Sequence, residues 1–315
     1  MEINSKICPN SSTPSISMNQ NINYVSQAYQ TLYQASPYIK LSHFISSQSI
    51  LEAFESKQEV HIIDLDIRYG FQWPPLIQAL AARPGGPPFL RVTGIGSPLE
   101  SVRETGNCLI EAAKRARVPF EFHPVEAELQ NLRPSMLRVQ QHGGETLAVN
   151  LVNWPRCDIG NCLGRLLTMI RDQGPSIVTL TEQEPSRGEL TSIGRFTGAL
   201  RYYSAIFESL DAAFPGDSPA RGNLEKCIFA PAIRKEVASE EPGRAAPRQE
   251  GSDATVKLME EKGFRNVPVR EETVAQAKML LSLSGSNGHT LIENKGCLQI
   301  GWRGTTITST SAWRC

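Results

Sequence analysis

Short runs of hydrophobic residues, each bounded by polar or turn-forming residues, recur along the first 180 positions. Continuous runs of this length are typical of strands that are buried on both faces of a parallel sheet. They predict five strands, which are Glu59–Asp64, Phe89–Gly94, Phe120–Pro124, Thr146–Leu151 and Ile177–Thr181.

Between these runs the hydrophobic residues fall at helical spacing. The pattern predicts helices over Pro74–Ala82, Leu99–Arg117 and Leu190–Phe214, and one or two helices over residues 24–54, broken near Ser36-Pro37. Alternating strands and helices predict an α/β fold with a doubly wound, mostly parallel sheet of the Rossmann or methyltransferase type. We expect one domain over residues 24–315, in which residues 24–54 form a partial helical cap and residues 55–315 form the α/β core with inserted helices.

The last 40 residues change to an antiparallel pattern. A helix is predicted at Ala275–Leu283, followed by strands around His289–Glu293, Leu298–Trp302 and Thr305–Ser309. The Asn294-Lys295-Gly296 turn between two of them is a hairpin signal. Residues 239–252 are charged, rich in Gly and Pro, and predicted to be an exposed loop.

Composition excludes several classes of function. Lys plus Arg and Asp plus Glu both number 32, so broad attraction to nucleic acid or to an anionic membrane is not expected. No apolar run reaches the roughly 20 residues that span a bilayer. Seven cysteines without a Cys-x-x-Cys pair favour free thiols over a metal site. Residues 1–23 are polar, and we expect a disordered tail there.

The turn after the first predicted strand is the place where a cofactor would bind in such a fold. A methyltransferase needs glycines there, so that the backbone can approach the ligand, and a carboxylate at the end of the second strand for the ribose hydroxyls. Here Asp66 and Arg68 stand where small glycines are expected, only Gly70 remains, and strand two ends in Gly94 and Gly96.

Three interpretations of this region stay open. An S-adenosylmethionine site is one, and a turn in which Asp66 and Arg68 satisfy each other is the favoured alternative. The third is a small-molecule cleft of different specificity, because clefts at the carboxyl ends of parallel strands persist when ligands change. The candidate residues of this cleft are Asp64, Asp66, Gly70, Gly94, Gly96, Asn150 and Glu182.

Other chemically suggestive residues have structural interpretations. His61 lies inside the first predicted strand, where a packed and hydrogen-bonded core histidine is favoured over a catalytic base. Trp73, Trp302 and Trp313 are interpreted as core anchors rather than as a partner surface. No Gly-x-Ser-x-Gly element and no motif of Ser or Cys with His is present, so we predict no catalytic residue.

Several ordered motifs resemble the GRAS family of plant transcriptional regulators, and its SCARECROW-like members in particular. Val60-His61-Ile62-Ile63-Asp64 is similar to the family's VHIID motif, and Gln72-Trp73-Pro74 follows at the expected distance. The PFYRE region is resembled by Pro175 to Glu184 with Arg195-Phe196 and Tyr202-Tyr203-Ser204, and the SAW region by Gly301-Trp302 and Ser311-Ala312-Trp313.

The resemblance implies structural roles for His61, Asp64, Gln72, Trp73, Pro74, Arg195, Phe196, Tyr203, Trp302 and Trp313. It also implies that most of the first leucine-rich helical region should precede Tyr24, so that this region is truncated here.

For function, the resemblance implies a nuclear regulator that is not an enzyme and needs no cofactor or metal. Its partners would be zinc-finger transcription factors and other GRAS proteins, as homo- or heterodimers, with DNA contacted indirectly and no membrane. The alternatives are a small-molecule-binding or methyltransferase-like protein and a direct, sequence-specific DNA binder.

Overall fold

The computed structural model describes residues 18–140, 144–152, 159–183, 192–238, 252–285 and 288–315. These residues form an α/β fold around one nine-stranded mixed sheet. The fold class predicted from the hydrophobic pattern is thereby confirmed.

Two helices open the described chain, α1 (Met18–Ala35) and α2 (Pro37–Ala53). Ser36 between them is extended, with φ of −103° and ψ of 103°, and Pro37 starts α2 where its missing N–H costs nothing. The predicted break near Ser36-Pro37 is therefore confirmed. The predicted tail is too long, because residues 18–23 belong to α1; residues 1–17 lie outside the described residues.

The first half of the sheet is built from strands that alternate with helices. The elements in chain order are β1 (Glu59–Asp64), α3 (Trp73–Ala81), β2 (Phe89–Gly96), α4 (Leu99–Ala116), β3 (Phe120–Glu126), a 3₁₀ turn (Leu129–Asn131), α5 (Pro134–Leu137), β4 (Thr146–Val152), α6 (Ile159–Asp172) and β5 (Ile177–Gln183). Each predicted strand in this half is present, and four of the five run one or two residues further than predicted.

The second half is helical before it returns to the sheet. It contains α7 (Ser192–Ala213), α8 (Pro219–Leu224), a π-helical turn (Glu225–Phe229), α9 (Ala230–Ala238), α10 (Ser252–Glu261), β6 (Arg265–Val267), α11 (Glu271–Ser282), β7 (His289–Asn294), β8 (Cys297–Trp302) and β9 (Thr305–Arg314). The predicted loop at residues 239–252 lies outside the described residues except for Ser252, which begins α10.

The main path of the sheet has the order β3-β2-β1-β4-β5-β9-β8-β7, and β6 pairs with β9. Strands β1 to β5 are parallel to their neighbours, while β9 is antiparallel to β5 and to β8. Lys295 and Gly296 have φ of 51° and 73°, as a tight hairpin between β7 and β8 requires. The predicted antiparallel finish is confirmed.

Two hydrophobic cores lie on opposite faces of the parallel strands, because side chains alternate along each strand. Ile62 and Val92 pack with α2, α3 and α4 on one face, and Ile63 and Val149 pack with α6 and α10 on the other. A third core joins β8 and β9 to α1, α2, α7 and α11.

The predicted division between a cap and a core does not describe α2 well. Ile50 of α2 and Phe54, which follows the helix, are fully buried in the core against β1 and β2. Hydroxyl contacts join α2 to the other half of the sheet. Ser42 Oγ lies 3.0 Å from Thr308 Oγ1, and Ser46 Oγ lies 3.4 Å from Thr181 Oγ1. Small hydroxyl side chains thus let α2 lie directly on the sheet as one of its covering helices.

We expect Trp313→Ala to unfold the domain rather than to remove a contact surface. The Trp313 side chain is 0 % exposed in the core of β5, α6 and α10, and its indole N–H donates to Ser311 Oγ at 2.9 Å. Loss of a buried Trp costs about 3–5 kcal/mol, which urea unfolding followed by circular dichroism would measure. The neighbouring exposed Arg314→Ala is the control, and unchanged stability of the Trp313 variant would contradict the assignment.

Candidate functional site

The candidate cleft lies at the carboxyl ends of β1 and β4. These two strands are neighbours in the sheet but are not consecutive in the sequence. In open α/β sheets this reversal of strand order is where ligands bind. Asp64 is paired in register with Gly94 of β2 and with Asn150 of β4, and Asn150 is paired with Thr179 of β5. The sequence prediction therefore brought Asp64, Gly94 and Asn150 correctly to one row of the sheet.

Asp64 is a buried carboxyl group, 3 % exposed, that accepts two hydrogen bonds. The Trp73 indole N–H donates to Oδ2 at 2.8 Å, and the Asp66 backbone N–H donates to Oδ1 at 3.2 Å. Burial raises the pKa of Asp64 to about 7, although both hydrogen bonds favour the ionised form and act in the opposite direction. The group is therefore poised between its two charge states near neutral pH.

Asn150 occupies the centre of a fully buried amide network. Its Nδ2 donates to Gln72 Oε1 at 3.1 Å, its Oδ1 accepts from Thr179 Oγ1 at 2.8 Å, and Gln72 Nε2 donates to Ser47 Oγ at 3.4 Å. These bonds connect α2, α3, β4 and β5 below the strand ends. The polar groups that could orient a ligand here are thus engaged with each other.

The turn after β1 holds the predicted contact between Asp66 and Arg68. Arg68 Nε donates to Asp66 Oδ2 at 2.6 Å, and Arg68 Nη1 donates to the Tyr29 hydroxyl oxygen at 3.1 Å. Burial raises the pKa of Asp66, and the adjacent guanidinium opposes that shift. Arg68 has φ of 41°, a backbone conformation that is uncommon for residues other than glycine. The hydrogen bonds of its guanidinium to Asp66 and Tyr29 stabilise this strained conformation.

The glycines of the candidate cleft accommodate side chains of this chain. A Cβ on Gly94 would lie 2.6 Å from Ile67 Cδ1 and 2.8 Å from Phe122 Cζ, and a Cβ on Gly96 would lie 3.0 Å from Val102 Cγ2. Gly70, with φ of 63°, is equally close to Thr105. In a cofactor site such glycines leave space for a ligand, whereas here the space is filled by hydrophobic groups.

Glu182 does not belong to this cleft, and that part of the prediction is wrong. Thr181, its neighbour on β5, contacts Ser46 of α2 on the face that carries Asp64. The Glu182 carboxylate accepts from Thr255 Oγ1 of α10 at 2.7 Å, on the opposite face. Alternation along the strand therefore separates Glu182 from Asp64 and Asn150.

His61 is a hydrogen-bonded core histidine, as predicted. It is 0 % exposed, with Nδ1 3.2 Å from Glu145 Oε2 and Nε2 2.8 Å from Thr93 Oγ1. Arg91 Nη1 donates to the other oxygen of Glu145 at 2.8 Å. Burial raises the pKa of Glu145, but the contacts with His61 and Arg91 outweigh it, so this pKa lies below its usual value.

The other residues of the resembling motifs fall into two groups. Gln72, Trp73, Trp302 and Trp313 are buried, Pro74 lies in the first turn of α3, and Tyr203 packs against the third core. Phe196 lies on α7, where its side chain is 56 % exposed. The side chain of Arg195 lies outside the described residues.

Sequence reasoning missed the groups that fill the cleft, which are Ile67, Val102 and Phe122. The available signal was the pair Gly94 and Gly96, because strand glycines mark places where another group approaches closely. Among the described residues, no three His, Cys, Asp or Glu side chains gather as a metal site would require. The described helices include none that is long and apolar enough to cross a membrane.

Comparison with known proteins gives a consistent result. The model of the GRAS domain family matches residues 2–314, which extends beyond the motifs recognised from Tyr29 onward. Protein SCARECROW 1 of Oryza sativa subsp. indica is 39 % identical over 290 residues, covering 92 % of this chain and 43 % of that protein. Protein SCARECROW of Arabidopsis thaliana is 36 % identical over 286 residues, covering 91 % and 43 %. The chain thus spans less than half the length of these relatives.

A solved structure supports the same relationship. The crystal structure of SCL7 from Oryza sativa superimposes with a TM-score of 0.83 at 35 % sequence identity. The superposition covers 93 % of this chain and 83 % of the SCL7 chain. The arrangement of sheet and helices described above is therefore shared with an experimentally determined structure.

Asp64 should make the stability of the domain fall as the pH rises. Its pKa is raised to about 7 in the folded state, from about 3.9 in an unfolded chain, so the folded state binds more protons between these values. Its contribution to the free energy of unfolding is greatest below about pH 4 and falls by about 4 kcal/mol as the pH rises to about 8.

Urea unfolding of the wild type and of Asp64→Asn between pH 5 and 8 would measure this contribution. The difference in stability between the two proteins should change across this range. A constant difference between the wild type and Asp64→Asn would show that Asp64 remains ionised throughout.

Substitution of Gly94 tests whether the cleft is filled. We expect Gly94→Ala to lower stability by about 1–3 kcal/mol, since the added methyl group meets Ile67 and Phe122 in a packed region. Gly216→Ala is the matched control, because nothing lies within 4 Å of a Cβ built there. Equal melting temperatures for the two variants would indicate an open cleft.

Proposed function

Because this chain belongs to the GRAS domain family, we propose that it is a plant transcriptional regulator that works in the nucleus as a protein-interaction scaffold. The motif resemblance in the sequence and the relatives named above agree on this family. The scaffold role is our inference from the chemistry of the fold.

The observation that carries the proposal is the filled cleft at the carboxyl ends of β1 and β2. Ile67, Phe122 and Val102 lie against Gly94 and Gly96, where a nucleotide-derived cofactor would need room. Strand β2 ends in Gly96 and provides no carboxylate at this position for ribose hydroxyls. The strand order is that of a ligand-binding α/β domain, but the side chains in this cleft pack against each other and support a structural role for it.

The electrostatic properties support action through other proteins rather than by direct contact with DNA. The chain has 32 basic and 32 acidic residues, so it lacks the excess positive charge that drives binding to phosphate backbones. On this proposal it reaches promoters through DNA-bound partners. The partner classes that family membership suggests are zinc-finger transcription factors and other GRAS proteins, bound as homo- or heterodimers.

A reporter assay in plant protoplasts tests the proposal. The full chain, fused to a fluorescent protein, should accumulate in the nucleus and change expression from a promoter only when a DNA-bound zinc-finger factor is present. Trp313→Ala, which we expect to unfold, should abolish the effect, and Arg314→Ala should preserve it. Equal activity without the DNA-bound factor would contradict a scaffold.

Two binding measurements address the alternative functions. Calorimetric titration of the purified chain with S-adenosylmethionine should give no heat for the wild type or for Asp66→Ala, and micromolar binding by the wild type would reopen the enzyme hypothesis. A mobility shift with duplex DNA should give no specific complex. A complex whose affinity falls steeply with salt would instead indicate direct phosphate contacts.

A further inference from the structure

Helix α7 carries one continuous hydrophobic seam that is buried at one end and uncovered at the other. The seam follows alternating spacings of three and four residues, which place its members on one side of a helix. Its residues are Ile193, Phe196, Leu200, Tyr203, Phe207 and Leu210.

The C-terminal part of the seam has a partner within this chain. Leu210 is 1 % exposed in the third core, and the Phe207 ring packs on Phe229 with ring centroids 5.6 Å apart. The N-terminal part has no such cover among the described residues, since Leu200 is 58 % exposed, Phe196 56 % and Ile193 80 %. Within the described residues, the helix therefore leaves the body of the protein with its hydrophobic seam facing solvent.

The spacing of the exposed residues selects the shape of a partner. Ile193, Phe196 and Leu200 lie along about 10 Å of helix, two turns at 1.5 Å per residue. Side chains at three- and four-residue intervals form knobs that fit between the side chains of a second helix laid alongside. An α-helix with a matching hydrophobic stripe is the complementary ligand.

The size of the exposed seam argues against a second copy of this chain as the occupant. Three side chains of this size and exposure present on the order of 300 Å². A stable interface between folded proteins buries about 800 Å² on each partner. The seam is thus large enough for a short helical segment and too small to hold a globular dimer by itself.

The charge along the same helix determines which charged residues a partner should carry beside its hydrophobic stripe. From Ser192 to Phe207 the sequence has two arginines, Arg195 and Arg201, and no acidic residue. The positive end of the helix dipole is also at this end of α7. Acidic residues beside the hydrophobic stripe of a partner would be attracted, whereas a second α7 would bring arginines together.

We propose that the exposed seam of α7 (Ile193, Phe196 and Leu200) docks a short amphipathic helix whose hydrophobic stripe is flanked by Asp or Glu residues. The partner is thus a helical segment of another regulatory protein, recognised by shape and by charge. This inference rests on the proposed scaffold function and adds the chemistry of one of its partners.

A designed peptide serves as the probe in the test. It is a fluorescein-labelled helix of about 18 residues, with leucines at three- and four-residue spacing flanked by glutamates, and its binding to the full chain is followed by fluorescence polarisation. Two control peptides replace the glutamates with lysines, or the leucines with serines. We expect binding of the first peptide and at least about tenfold weaker binding of both controls.

Substitutions locate the binding surface. Phe196→Ser and Leu200→Ser should each weaken binding at least about tenfold, and Arg201→Glu should weaken binding of the acidic peptide but not of the lysine peptide. Met279→Ser on α11 and Leu283→Ser directly after it are the controls, since these side chains are similarly hydrophobic and 64 % and 70 % exposed. All five sites are exposed, so melting temperatures should match the wild type.

Four results would overturn the inference. Binding that is unchanged by Phe196→Ser and Leu200→Ser would place the peptide elsewhere, and equal binding of the acidic and lysine peptides would remove the role of charge. Sedimentation that shows a wild-type dimer abolished by Leu200→Ser would make a second copy the occupant. If the peptide fails to bind while the zinc-finger-dependent reporter still responds, this inference fails and the proposed function stands.

Discussion

The arrangement of the parallel strands depends on a carboxyl group that is shut away from water. Asp64 ends β1, and its two oxygens accept from the Trp73 indole N–H and from the Asp66 backbone N–H in the following turn. An unpaired buried polar group lowers the stability of the folded state. The hydrogen bonds of Asp64 therefore fix the position of α3 relative to the end of β1. The Gln72 and Asn150 amides then extend the fixed geometry to β4 and β5. One buried acid thus sets the direction of the chain at the place where the strand order reverses.

The sequence predicted most of the fold because the parallel strands are short, largely hydrophobic runs bounded by polar or turn-forming residues. Glu59–Asp64 matches β1 residue for residue, and the Lys295-Gly296 hairpin followed from turn chemistry alone. Short elements held by neighbours, such as β6 and the π-helical turn, have no comparable signal. Asp64, Gly94 and Asn150 were correctly grouped because parallel strands end together. Glu182 does not belong to this group because side chains alternate along β5, and its carboxylate lies on the opposite face.

Two further limits of the sequence concern what surrounds a residue. A strand glycine indicates that some group approaches closely, but the pattern does not say whether that group is a ligand or, as at Gly94, the ring of Phe122. The hydrophobic spacing of α7 predicts a stripe that packs on a neighbouring element. It does not show which residues of the stripe are buried and which are exposed to solvent. Phe196 and Leu210 have the same place in the repeat, yet one is 56 % exposed and the other 1 %. Tertiary contacts decide both cases.

The position of β9 has a consequence for how this protein is made. Residues 305–314 form an interior strand, hydrogen-bonded to β5 on one side and to β8 on the other. While the ribosome translates the residues between β5 and β9, the edge of β5 is unpaired and its apolar residues lack part of their cover. At about 5–20 residues per second, synthesis of that stretch takes on the order of ten seconds. The nascent chain therefore exposes the unpaired edge of β5 to pairing with other chains for at least that time.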